Sequence, residues 1–127
     1  MKRLLKKQIL IPIAAVLLVI LCICSFPMRS IEHSDRHTRA EIKAAMNAAI
    51  RHFRSNDVFS RTLLRIRYDD DFSLYAEGNV DNTVVFLLDF YTWSYSGSFE
   101  PNHLYTDFQY KMKFQNGEWV FVSGGYA

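Results

Sequence analysis

The sequence predicts an α+β domain behind an apolar amino-terminal segment. Three observations carry this reading: a capped apolar stripe at helical spacing after Thr38, a change to period-two alternation from Thr62 onward, and an Asn116-Gly117 turn between two alternating segments. With 127 residues the chain has room for one small domain, which excludes a multidomain enzyme.

Residues 1–28 read as a basic tail and a transmembrane anchor. Ile9 to Phe26 runs for 18 residues without a charge. At about 1.5 Å per residue this covers roughly 27 Å, close to the roughly 30 Å hydrocarbon core of a bilayer. A secretory signal has a shorter apolar region, about 7 to 15 residues, and a small-x-small cleavage site. Cys22 and Cys24 make a poor one, so an uncleaved anchor is preferred over a removed signal. Leu21 and Ile23 stand where a bacterial lipobox around Cys22 needs small residues, which makes lipidation a minor alternative. Lys2, Arg3, Lys6 and Lys7 precede the run and stay cytoplasmic by the positive-inside bias, which places the remainder outside a cell membrane it crosses once. Pro12 is tolerated one turn into the run. The remaining 11 basic and 13 acidic residues sum to −2, so the domain has no electrostatic case for nucleic acid. Both cysteines lie in the apolar run, which leaves the outer domain without a disulfide and without thiol chemistry.

Residues 29–37 are polar and read as a juxtamembrane tether, with the domain spanning 38–127. Thr38-Arg-Ala-Glu41 is a capping-box pattern, and Ile42, Met46, Ile50 and Phe53 then form one apolar stripe. His52 and Arg54 suit the negative end of the helix dipole, and Ser55-Asn56 supplies a stop. Thr62 to Tyr68 reads as a strand with Leu64, Ile66 and Tyr68 on one face, ended by Asp69-Asp70-Asp71. Residues 70–82 read as a connection with a short helical turn around Phe72 to Ala76. Thr83 to Ser94 is a long central strand with both faces covered, its one charge Asp89. Leu104 to Phe114 alternates, with Phe108, Tyr110, Met112 and Phe114 on one side. Asn116-Gly117 suits a type I′ loop, which sets Phe114 opposite Trp119, Met112 opposite Phe121, and Lys111 and Lys113 opposite Val122 and Val120. The result is one amphipathic helix packed on a twisted antiparallel sheet of three to four strands.

Several segments together resemble a known family. Leu63-Leu-Arg-Ile-Arg-Tyr68-Asp69-Asp70, Gly97-Ser-Phe-Glu-Pro101-Asn102, Asn116-Gly117-Glu-Trp119 and the closing Gly125-Tyr126 are similar to an uncharacterised family of small exported or membrane-anchored proteins of Gram-positive bacteria. The resemblance covers roughly residues 38–126 and implies a cystatin or nuclear-transport-factor-like roll, in which a curved antiparallel sheet wraps a helix. It carries no activity, and such rolls host isomerases, hydratases and inert binding modules alike.

Candidate sites are few. His33 and His37 have an i, i+4 spacing but lack the glutamate and third ligand of a zinc site, so a solvated tether is the preferred reading. Asp69-Asp70-Asp71 fails as a calcium loop, because Leu74 and Val80 stand where glycine and a bidentate acid are needed. Ser94, Ser96 and Ser98 have no histidine-acid pair in support. Asp89, inside the most apolar strand, would be a proton-transfer group if it faced a closed cone with Tyr91, Tyr105 or Tyr110. The competing reading turns it toward solvent or toward Arg65 or Arg67 on the neighbouring strand. Trp93, Tyr95 and Phe99 suit a contact surface for a protein, peptide or cell-envelope component. The sequence thus favours an anchored extracytoplasmic binding module that needs no cofactor. A small isomerase or lyase using Asp89 is the alternative, and a structural homodimer the third.

Overall fold

Thr38 caps the central helix: its hydroxyl accepts the Glu41 amide at 3.2 Å and its carbonyl accepts the Ile42 amide at 3.1 Å. This is the start that the capping pattern predicts, seen in a computed structural model that describes residues 2–55, 60–77 and 82–126. The elements are α1 (Lys2–Ser25), β1 (Met28–Ile31), α2 (Arg39–Ser55), β2 (Arg61–Tyr68), α3 (Asp70–Glu77), β3 (Thr83–Thr92), β4 (His103–Gln115) and β5 (Glu118–Gly125). The strands form one sheet in sequence order. β1 runs parallel to β2, and every other pair is antiparallel.

The chain is therefore α+β, as its periodicities predict, with a mixed sheet of five strands in place of an antiparallel one of three or four. Ile42, Met46, Ala49, Ile50 and Phe53 of α2 are each at most 3 % exposed. They belong to one core with Leu63, Ile66, Phe86, Leu88, Phe90, Tyr110 and Met112 of the sheet. Each fully buried large side chain contributes about 1.5–3 kcal/mol, so this stripe is what docks the helix.

β1 corrects the expected tether. Residues 28–31 pair with Arg65 to Tyr68, and the Glu32 amide extends the ladder to the Tyr68 carbonyl at 3.1 Å. An exposed four-residue edge strand is held by backbone bonds, which leave no apolar alternation in the sequence to read. The folded unit thus begins at Met28, ten residues before Thr38.

Two bulges shift predicted faces. The β2–β3 register slips between Leu63 and Arg65, so Leu63 rather than Leu64 shares the core face with Ile66. The β4–β5 register slips after Met112, which leaves Val122 unpaired and sets Lys111 opposite Ser123. On the hairpin side of that slip the predicted pairs Phe114–Trp119, Lys113–Val120 and Met112–Phe121 all form. Asn116 and Gly117 have φ of 53° and 80°, the two positive values a type I′ loop requires.

α3 is a full helix where a single turn is expected. Asp69 caps it by accepting the Phe72 amide at 3.1 Å, and Ser73 ties it to β3 by accepting the Val85 amide at 3.1 Å. Asn56 of the expected helix stop and Gly78, Asn79 and Asp81 of the expected connection lie outside the described residues. Among the described residues no helix is long and apolar enough to cross a membrane.

The sheet has two distinct ends. The starts of β1, β2 and β4 and the close of β3 share the near end, into which α1 leads; the starts of α2, α3, β3 and β5 share the far end.

Candidate functional site

The far end holds a buried polar network assembled from three segments. Arg36, between β1 and α2, donates from Nη1 to Glu77 Oε2 at 2.6 Å and from Nη2 to Asp70 Oδ1 at 3.2 Å. Tyr68, closing β2, donates from its hydroxyl to the same Asp70 oxygen at 2.7 Å. Ser73 donates to the other oxygen of Glu77. Ser34 Oγ accepts the amides of Arg36 and His37, each at 3.2 Å, which folds this segment tightly over the end of the sheet.

Burial and charge set the ionisation here. Burial pushes the Tyr68 phenol up to about 12, with the Asp70 carboxylate adding to the rise. Asp70 is raised by burial, but hydrogen bonds from Ser34 and Tyr68 and the Arg36 charge outweigh this and hold it below the usual carboxylate range. The Arg36 guanidinium is disfavoured by its own burial, yet the Glu77 carboxylate more than compensates and raises it.

His37 joins this network to solvent. Its Nε2 lies 3.6 Å from Glu77 Oε1 and its Nδ1 3.7 Å from Glu41 Oε2, with the ring 13 % exposed. Nε2 is buried and makes no hydrogen bond among the described residues. The Glu41 carboxylate, expected to reach back to the cap amide, faces the imidazole. On one side of His37 a cleft of about 310 Å³ opens, lined by Glu41, Asn82, Phe114 and Trp119. On the other a cleft of about 300 Å³ includes Ile31, Glu32 and Ser34. The Phe114 and Trp119 rings meet at 5.3 Å and 56°, because the type I′ turn makes them cross-strand partners. Asn82 is fixed by its carbonyl, which accepts the Phe114 amide at 2.8 Å.

The first cleft combines a wall of two tilted aromatic rings with a carboxylate, an amide and an imidazole. Such a lining can stack against a ring or an aliphatic stem and accept its hydrogen bonds. The Glu41 carboxylate is the charged acceptor of this lining and favours a ligand that carries donors. Among the described residues no group of three or more His, Cys, Asp or Glu side chains is placed to hold a metal.

Most residues singled out in the sequence lie elsewhere, with His37 and Asp70 the exceptions. His33 is exposed and sits 3.1 Å from Asp35 while also lining the second cleft with His37, and His37, 13 % exposed, is no solvated tether residue. The run Asp69 to Asp71, expected to be solvated, supplies the α3 cap and the Asp70 member of the network. Asp89 alternates away from its buried neighbours Leu88 and Phe90, 3.2 Å from Arg65 Nε, and accepts the Asp107 amide at 3.0 Å. It therefore faces away from α2 and not into a cone beneath it. Trp93 and Tyr95 are 57 % and 79 % exposed. Phe99 turns inward, with its ring 5.2 Å from Phe90 and 5.0 Å from Tyr105. Sequence reasoning missed Arg36, Glu77 and the cleft; the available trace was Asp70, Ser73 and Glu77 recurring at three to four residues, a polar helical stripe.

No family model, no curated protein and no solved structure matches this chain.

Proposed function

We propose that this protein is a single-pass membrane protein with a cytoplasmic amino terminus, and that its outer domain is a binding module whose ligand enters the far-end cleft. The supporting observation is the juxtaposition of Phe114 and Trp119 with Glu41, His37 and Asn82 around about 310 Å³ of open space. Such a wall with convergent acceptors fits a cell-envelope saccharide or a basic peptide segment. The helix laid over a sheet suits the roll architecture that the sequence resemblance implies. The anchor is supported by the uncharged run Ile9 to Phe26 and by the exposure of every described side chain in α1, with Ile11 72 % and Leu18 64 % exposed. An apolar run exposed on all sides suits lipid, and among the described residues no protein surface covers these side chains.

The position of Asp89 gives the isomerase reading no support, because its carboxylate is engaged by Arg65 and by the Asp107 amide.

The test uses the detergent-solubilised full chain carrying Trp93→Phe, so that Trp119 alone reports. Envelope polysaccharide fragments or an arginine-rich peptide should shift Trp119 emission saturably, and Glu41→Ala should abolish the shift. No saturable change with either ligand class would remove the cleft as the binding site.

A further inference from the structure

We infer that the loop 93–102 is a membrane-docking element that seats Trp93 and Tyr95 in the headgroup region of the bilayer that holds α1; the inference rests on the anchor reading above. The placement follows from topology. β1 begins opposite Arg65, while β2 reaches back to Arg61 at the near end. Four residues of strand are about 13 Å, so the near end extends past the point where the chain enters β1, toward and alongside the end of α1. α1 and β2 are neighbours in the fold. Arg61 and Thr62 pair with Thr92 and Tyr91, so the loop that follows Thr92 lies at this end of the sheet.

The loop is built to hold its aromatics outward. The Trp93 amide donates to the Ser60 carbonyl at 2.7 Å and its indole to Thr62 Oγ1 at 2.8 Å, and its ring meets Tyr91 edge-on at 4.6 Å. Ser96 and Phe99 close a tight turn over Gly97 at φ 60°, with the Phe99 amide donating to the Ser96 carbonyl at 3.0 Å. Thr92 Oγ1 bonds the Glu100 carbonyl, and the Tyr105 hydroxyl accepts the Glu100 amide at 2.9 Å. Phe99, sunk among Phe90, Tyr105 and Phe108, acts as the loop's anchor. The outcome is a rigid loop that buries one aromatic and presents two amphipathic ones to the outside.

Tryptophan and tyrosine at this level are the side chains that favour the boundary between headgroups and acyl chains. Of the basic residues at this end, Arg51 in the closing turns of α2 is exposed, whereas Arg61 is turned inward with its guanidinium 4.1 Å over the Phe53 ring; the loop's own Glu100 is exposed as well. The Arg51 guanidinium would add a lipid-phosphate contact to the aromatic insertion. Docking at the near end would leave the His37 cleft at the far end, turned away from the membrane and open to ligand.

Trp119, at the far end, is an internal control. The full chain is reconstituted in phosphatidylcholine–phosphatidylglycerol vesicles containing nitroxide-labelled lipid, as Trp119→Phe, which retains Trp93, and as Trp93→Phe, which retains Trp119. A third variant places Tyr95→Trp in a chain without the other two tryptophans. Shallow nitroxide should reduce the emission of Trp93 and of the residue 95 probe about two-fold and leave Trp119 nearly unchanged. Vesicle flotation separates the two ways to fail. Chains that float with equal, weak quenching at all three positions keep the anchor and overturn the docked loop; chains that do not float overturn both.

Discussion

The Nδ1 atom of His52, in the last turn of α2, faces the hydroxyl of Tyr110 on β4 at hydrogen-bond contact, while its ring stacks on Phe121 at 4.1 Å and 17°. The helix end is thereby joined to the two strands that also carry the cleft wall. Burial lowers the pKa of His52, with the Arg61 charge adding to the effect, and burial raises that of Tyr110. Both shifts favour the uncharged forms, a neutral imidazole hydrogen-bonded to a neutral phenol.

This pair predicts acid sensitivity. A histidine whose folded pKa lies below its unfolded value near 6.5 takes up its proton more readily in the unfolded chain. Its contribution is fully present above pH 6.5 and is lost as pH falls through that value toward the lower folded one. Thermal unfolding of the solubilised chain should therefore show a falling Tm between about pH 7 and pH 5, and His52→Gln should flatten that slope. An unaltered slope in the variant would assign the acid sensitivity to other groups.

The far-end network predicts a large penalty for removing its cation. Arg36→Ala strips Glu77, 4 % exposed, and Asp70 of their guanidinium partner. Breaking a buried pair this way costs about 3–5 kcal/mol; partial solvation of Arg36 brings the expected loss to about 2–3 kcal/mol. Urea unfolding reads it directly. Combining Arg36→Met with Glu77→Gln should recover part of the loss, because the buried charge goes with its partner.

These two pairings mark the border of what the sequence discloses. Periodicity and turn chemistry located α2, β3 and the β4–β5 hairpin, since apolar stripes and an Asn-Gly dipeptide are local signals. Thr38 to Phe53 needed only its own spacing to be read. β1 and the Arg36 network were not legible for a shared reason: both depend on groups far apart in sequence. β1 is a strand because β2 offers it an edge, and Arg36 is buried because Asp70 and Glu77, 34 and 41 positions later, are brought against it. The bulge at Leu64 reversed a face for the same reason, since register belongs to the pair and not to one strand. Of the candidate site, sequence spacing gave the Phe114–Trp119 wall but not the carboxylates and imidazole opposite it.

Gly124 gives a steric prediction. A Cβ at this position would lie 2.9 Å from Cε1 and 3.3 Å from Cζ of Phe108, whose ring covers the backbone of β5. Gly124→Ala should therefore displace that ring and destabilise the domain by about 1–3 kcal/mol in denaturant unfolding. Phe108→Leu shortens the obstructing side chain, so the double variant should lose less than the sum of the two single losses. Strict additivity would mean that the ring is not what excludes the side chain.

Asp89 separates a structural role from a chemical one. Its Oδ1 accepts the amide of Asp107, a residue at φ 56° where the β3–β4 register slips, and its Oδ2 faces Arg65 at 3.2 Å. The carboxylate thus satisfies a backbone group that the bulge removes from the ladder. Asp89→Asn keeps an oxygen for that amide and loses only a partly solvated ion pair, so it should cost about 0–1 kcal/mol. Asp89→Ala leaves the amide without its acceptor and should cost about 1–3 kcal/mol. An acid that moves protons in a reaction would reverse this order in its consequences: asparagine would end turnover as thoroughly as alanine while the domain stayed folded. A graded loss of stability across the two variants, with Trp119 still responding to ligand in the asparagine form, would assign Asp89 to holding the bulge.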